Sequence, residues 1–259
     1  MGKDETMARR RGSNRRRRRG GFGVLYKLLT TLVICVVIVV ALTLFFRVDT
    51  IVITGTERYT AQQVEDASGV EHGDNLILLN KHELVQHVQE ALPYVQDMRV
   101  NRKLPDTLLV EVEECGTPLA LIQDGSAWLV SPRGKIVEQK DAAAAADYAL
   151  IDGCQLLSPA VGGNIVLSTE YPFQQQSLLD LMAALEEEAV LDQVGAIHLD
   201  DISVLTMDYA GRFQVELPYG ADYHYKLRYL KLAVESLETN MTGTIQMLQD
   251  NGEVHFIED

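Results

Sequence analysis

Between Lys27 and Arg47 the chain reads LLTTLVICVVIVVALTLFF, 19 residues without a charged side chain. At ~1.5 Å per helical residue this run spans about 28 Å, close to the ~30 Å hydrocarbon core of a bilayer. Fourteen of the 19 are Leu, Ile, Val or Phe. At roughly −0.3 to −0.6 kcal/mol each near a helix centre, they favour insertion by more than Thr30, Thr31 and Thr43 oppose it. A cleaved signal peptide would carry an apolar region of about 7 to 15 residues ending in a small-x-small site. This run is longer and ends Leu44-Phe45-Phe46. The pattern predicts one retained transmembrane helix over 28–46.

The charge distribution orients that helix. Residues 1–27 hold ten Lys/Arg, eight of them in RRRGSNRRRRR, against Asp4 and Glu5, a local net of +8. From Val48 onward 12 Lys/Arg face 35 Asp/Glu, a net of −23 in a chain whose total is −14. Positive residues stay on the cytoplasmic side, so the basic tail 1–27 is expected inside and the acidic body across the membrane. The arginines are then placed to meet anionic lipid headgroups. A nucleic-acid role is disfavoured, because phosphate binding needs cations and the body would repel the backbone. No aromatic or groove-fitting element accompanies the tail.

Beyond the membrane, residues 48–55 alternate as a strand. Thr60-Ala-Gln-Gln63 reads as a capping box opening a short helix that Gly69 ends. Asn80-Lys-His-Glu83 reads as a second, with Asn80 as N-cap; Leu84, Val88 and Leu92 follow on one face and Pro93 stops the run. Strands are expected over 95–103 and 107–113 around Leu104-Pro105-Asp106. The order is β-α-α-β-β. LALIQ, SAWLVS and KIVEQ then read as a meander divided by Asp124-Gly125 and Pro132-Arg-Gly134. The alanine run 142–146 and LSPAVGGN read as exposed loops. A helix follows with Leu178, Leu181, Met182 and Leu185 on one face. Strands near 196–199, 204–208 and 213–217 lead to a second helix striped by Tyr223, Leu227, Leu230, Val234 and Leu237. The chain closes on a hairpin, 244–248 and 253–257, about an Asp-Asn-Gly turn at 250–252. The fold class is α+β: one N-terminal membrane helix, a β-α-α-β-β unit, and a mixed β domain with two helices.

Motifs for chemistry are weak. In HELVQH, His82 and His87 are five apart, about 140° off a common face, whereas the HExxH zinc pair is four apart. Cys115 and Cys154 sit in no recognisable elbow or helix-start context, and whether they pair is left open. Ser68, Ser131 and Ser158 lack a Gly-x-Ser-x-Gly setting. Glu186-Glu187-Glu188 and Asp200-Asp201 read as solvated acidic faces rather than a hydrolytic pair. No Gly-rich phosphate loop is present. The expectation is a protein with no catalytic residue, cofactor, metal or small-molecule substrate. A closing strand with no partner after it offers a free backbone edge, with Val254 and Phe256, or His255 and Ile257, setting selectivity. The alternative is that this strand is interior or covered.

VNRKLPDTLLVEVEECGTPLA, residues 100–120, resembles the junction between the POTRA and β domains of the FtsQ/DivIB family of bacterial cell-division proteins. Arg102, Pro105, Leu108, Val110, Val112, Glu114, Pro118 and Ala120 match its pattern, with one extra residue between Glu114 and Pro118. VDTIVITGTERYT resembles the first POTRA strand, and GDNLILLN the following segment. WLVSPRGKIV is similar to the early β-domain hairpin, with Ser131 where aspartate is common. LPYGADYHYKLRYLKLA and TGTIQMLQDNGEVHF resemble the late helix and last hairpin, where Gln246-Met-Leu248 replaces a more usual Asp-Leu-Arg.

The resemblance covers nearly the whole chain and implies a non-enzymatic septal scaffold. Its parts would be a tail 1–27, a helix 28–46, a POTRA domain 47–115 and a β domain 116–259. The implied partners are FtsL- and FtsB/DivIC-type division proteins, held through Thr244, Val254, His255, Phe256, Ile257 and, more loosely, Lys226. A POTRA-type envelope chaperone or transport factor is the competing reading, followed by an anchored cell-wall hydrolase.

Overall fold

The computed structural model describes residues 21–168, 171–249 and 253–258. The arginine-rich tail before residue 21 and the Asp-Asn-Gly turn at 250–252 lie outside them. Helix α1, Gly21–Phe45, begins seven residues before the expected 28 and ends one before 46. The charge-free run marks what can enter lipid, while the backbone of the flanking 21–27 segment, free of proline, continues the same helix. Among the described residues nothing covers the apolar span 23–45. Its threonines are satisfied internally: Thr30, Thr31 and Thr43 donate to carbonyls three or four residues back. That removes most of the cost of a hydroxyl in hydrocarbon.

The first globular unit runs β1 (Thr50–Thr54), α2 (Ala61–Ser68), α3 (Lys81–Ala91), β2 (Val95–Lys103) and β3 (Thr107–Glu114). Its sheet has the order β1-β3-β2, with β1 parallel and β2 antiparallel to β3. The predicted capping box of α2 is formed. Thr60 Oγ1 accepts from the Gln63 amide at 3.2 Å, and Gln63 Oε1 accepts from the Thr60 amide at 2.9 Å. Asn80 caps α3, but its side chain accepts from the His82 amide at 3.2 Å rather than from that of Glu83. Val64, Leu84 and Val88 from the helices close on Met98, Val100, Leu108, Val110 and Val112 of the sheet.

The second unit comprises β4 (Leu119–Gln123), β5 (Ser126–Val130), β6 (Ile136–Asp141), β7 (Leu150–Asp152), α4 (Pro172–Glu187), β8 (Val194–His198), β9 (Val204–Tyr209), β10 (Phe213–Pro218), α5 (Tyr223–Ser236), β11 (Gly243–Gln246) and β12 (His255–Glu258). One nine-stranded sheet holds them in the order β12-β11-β10-β9-β8-β7-β4-β5-β6. α4 and α5 cover one face. The predicted stripe of α4, Leu178, Leu181, Met182 and Leu185, is fully buried, as are Tyr223, Leu227 and Leu230 of α5. Val234 and Leu237 pack at the margin.

Two segments depart from expectation. The alanine run is a 3-10 helix, Ala142–Asp147, with Ala145 buried among Tyr94, Ala120, Ala127, Leu129 and Val137. A methyl side chain lets that turn lie directly on the sheet, so low complexity here reflects close approach rather than exposure. β7 was not expected at all. It is three residues long and pairs in parallel with both β4 and β8.

The two units share a polar junction. Lys135, buried, donates through Nζ to the carbonyls of Gln89 at 3.2 Å and Val95 at 3.0 Å. Burial lowers its pKa. Tyr94 Oη donates to Glu138 at 2.7 Å, Arg133 pairs with Glu113 at 2.7 Å, and the Cys115 amide donates to the Tyr94 carbonyl at 2.7 Å. The first unit also meets the end of the apolar helix α1. The Leu76 amide donates to the Phe46 carbonyl at 2.9 Å, and Asn75 Nδ2 to the Thr43 carbonyl at 3.1 Å.

Candidate functional site

The last two strands are placed by the crossover that precedes them. β10 leads through α5 into β11, which lies parallel to β10; β12 then returns antiparallel to β11. Asp222 starts α5 by accepting from the Tyr225 amide at 3.0 Å, as an N-cap should. Arg212 Nη1 donates to the carbonyls of Glu238, Thr239 and Met241 at 3.1, 2.9 and 3.4 Å, fixing the chain that leaves α5. The same guanidinium lies 4.6 Å over the Phe213 ring. Gly243 then opens β11 at φ +152, where a Cβ would fall 2.1 Å from the Ile257 carbonyl oxygen. Only glycine lets the two strands approach this closely without displacement.

β12 is the outermost strand, so one side of its backbone faces no other strand among the described residues. Its two alternating sets of side chains separate cleanly. Phe256 stacks edge-on against Phe213, ring centroids 6.1 Å apart, and Val254 packs beside it on the core side. His255 and Ile257 are exposed on the other face, Ile257 at 51%. Cross-strand register sets Ile257 beside Thr244 and His255 beside Gln246. Gln214 and Glu216 continue these rows on β10, and Gln246 Nε2 donates to Glu216 at 3.0 Å. The open face therefore presents Ile257, Thr244 and Gln214 in one row and His255, Gln246 and Glu216 in the next. Short length and flanking charge are the usual safeguards of such an edge against indiscriminate pairing. Here β12 has four residues, with the Glu253 carboxylate 3.3 Å from His255 Nε2.

Lys226 sits elsewhere. It is buried on α5 at 3% exposure, and its Nζ donates to the Met247 carbonyl at 2.7 Å and the Gln249 carbonyl at 2.9 Å. It holds the chain leaving β11 and presents no surface of its own. Arg212 and Gly243 do comparable positioning work, and neither was singled out from sequence. The signal available was a glycine directly before an alternating segment, which reads as punctuation until the neighbouring strand is seen.

The other reactive groups are accounted for by structure. Cys115 and Cys154 are free, and burial pushes the Cys154 thiol up to about 12, aided by Asp152 and Asp200. Neither is a ready thiolate, since burial raises Cys115 as well. Asp152, His198 and Asp200 bring donor atoms within 4.8 Å of one another. His198, however, engages Asp152 through Nδ1 at 2.6 Å and Asp208 through Nε2 at 3.4 Å. Burial lowers its pKa, but the two carboxylates outweigh that and the net shift is upward. Both ring nitrogens of His198 thus face carboxylates, and the imidazole links β7, β8 and β9 through Asp152 and Asp208.

Comparison with known proteins bears on the whole arrangement. Residues 46–114 match the family model of the FtsQ-type POTRA domain. The chain is 26% identical over 206 residues to the cell division protein FtsQ of Geotalea daltonii, covering 77% of this chain and 71% of that one. To FtsQ of Syntrophotalea carbinolica it is 23% identical over 210 residues, 80% and 71% of the two chains. The cell division protein DivIB of Clostridium botulinum matches at 23% over 96 residues, 37% of each. With the β-α-α-β-β unit behind an apolar helix and a β-rich unit after it, the chain carries an FtsQ-type POTRA domain and is similar over most of its length to cell division proteins of the FtsQ/DivIB type.

Proposed function

We propose that this protein is a non-enzymatic bitopic scaffold of the divisome. It links FtsL- and FtsB/DivIC-type division proteins at the septum, with a cytoplasmic tail 1–27, a transmembrane helix 28–46, a POTRA domain 47–115 and a β domain 116–259 outside the cytoplasm. The observation that carries this reading is the outermost position of β12, whose outer backbone edge faces no strand among the described residues and can accept one from a partner. His255, Ile257 and Thr244 would then read the partner's side chains, Val254 and Phe256 would anchor the strand to the core, and Lys226 would hold its approach. The test is co-purification from detergent-solubilised membranes. Removing residues 253–259 abolishes capture of the partner while the protein still reaches the membrane, and Ile257→Asp weakens capture without loss of fold. Undiminished capture by the truncated protein would overturn the assignment. A fluorescent fusion should gather at midcell, and protease added to spheroplasts should digest the acidic body and spare an N-terminal tag.

A further inference from the structure

The exposed apolar surface of the POTRA-type unit is concentrated at one end. Leu78 is 75% exposed, more than any other large hydrophobic side chain among the described residues, those of α1 included. Ile77 and Leu104 are exposed as well. A single exposed leucine is ordinary, so location decides what these mean. Residues 75–79 form a tight turn in which Asn75 Oδ1 accepts from the amides of Ile77 and Leu78 at 3.0 and 3.1 Å. The Arg102 guanidinium braces it by donating to the Leu79 carbonyl. The same Asn75 donates through Nδ2 to the Thr43 carbonyl, and the Leu76 amide donates to the Phe46 carbonyl. The first carbonyl lies in the last turn of α1 and the second just past it, where the helix provides no partners of its own. The turn is thus the C-terminal cap of the membrane helix.

Depth follows from this connection. If Arg47 marks the polar boundary, Thr43 lies about 6 Å inward along a helix rising ~1.5 Å per residue. A turn bonded to Thr43 therefore stands at the rim of the hydrocarbon layer. Leu104 belongs to the same end: it lies in the β2–β3 turn, whose Asp106 carbonyl accepts from the Asp49 amide at 2.9 Å, just past α1. Lys103 and Arg102 adjoin it and Lys81 follows the first turn. Such side chains can lay their stems on apolar surface and keep their charges among headgroups.

We propose that Ile77, Leu78 and Leu104 enter the interfacial layer of the bilayer, seating the POTRA-type unit on the membrane by a second apolar contact beside α1. This rests on α1 spanning the membrane. The occupant is lipid because the turn is hydrogen-bonded to the helix at that depth; a protein partner or a second copy would have to reach into the same layer.

The test uses the full chain in two sets of phosphatidylcholine vesicles, with acyl chains brominated near the headgroup to probe the turn and near the methyl end to probe the middle of α1. Trp128, the sole tryptophan, lies on β5 in the second unit and gives the wild-type baseline. Ile38→Trp adds a reporter inside α1 and Leu78→Trp one at the turn. We expect both added emissions to be blue-shifted and largely quenched by the brominated lipid, with Trp128 little changed. If Ile38→Trp is quenched while Leu78→Trp stays bright and is quenched by acrylamide, the turn is in water and the proposal fails with the anchor intact. If Leu78→Trp is blue-shifted only at high protein-to-lipid ratio and without lipid quenching, a second copy covers it and the proposal also fails. If Ile38→Trp is not quenched, the anchor reading itself falls.

Discussion

Gly243 concentrates the dependence of the edge on one residue. An added methyl group would meet backbone atoms of Ile257 and Glu258, which cannot swing aside as a side-chain tip can. Gly243→Ala is therefore expected to loosen β12 at a cost of about 1–3 kcal/mol. Faster amide exchange over 255–258 would report it, together with reduced partner capture. His198 makes a different prediction. Its folded pKa is raised, so its contribution to stability is fully present below its ordinary value near 6.5 and is lost as pH rises through the folded value. The melting temperature should fall across that window in the wild type, and His198→Gln should flatten the dependence. Lys226 shows what remains hidden at this scale. A lysine on an amphipathic helix reads as a surface group, and only the strands beneath α5 reveal that its charge is spent on two carbonyls.

Among the elements, the legible ones carry their own instructions. The Thr60–Gln63 box and Gly69 bound α2 by bonds made within the segment, and Leu178, Leu181, Met182 and Leu185 mark the buried side of α4 by spacing alone. Leu181→Ala should cost about 2–5 kcal/mol in chemical denaturation, as expected for a cavity in a closed core. β7 and the 142–147 turn were illegible for the opposite reason. β7 exists because β4 and β8 lie on either side of it, and a three-residue run has no periodicity to display. Ala145 is buried because its neighbours come from distant strands and from Tyr94, not because its own segment is apolar in pattern. The edge strand was legible as a closing alternation, but the hairpin's strands are shorter than the expected 244–248 and 253–257, and the register against Thr244 and Gln246 comes from the structure. Which alternating set faces outward required the position of Phe213.

At the scale of the whole molecule, the junction between the two globular units is braced by Lys135, which no local pattern identifies. Lys135→Ala would leave the carbonyls of Gln89 and Val95 without this donor, at a cost of about 1–3 kcal/mol. Small-angle scattering of the variant should show a broader distribution of inter-unit distances while far-ultraviolet circular dichroism is unchanged. The exposed Arg133–Glu113 pair contributes little by comparison, about 0–1 kcal/mol. The other end of the same unit has its own consequence. Because Asn75 is bonded to Thr43 in the last turn of α1 and Leu76 to Phe46 just past it, rod and body are tied at two points. With α1 in the membrane as proposed, turning of the helix about its own axis would carry β12 around with it, so neighbours fixed in the same membrane would meet the protein only from a restricted set of bearings.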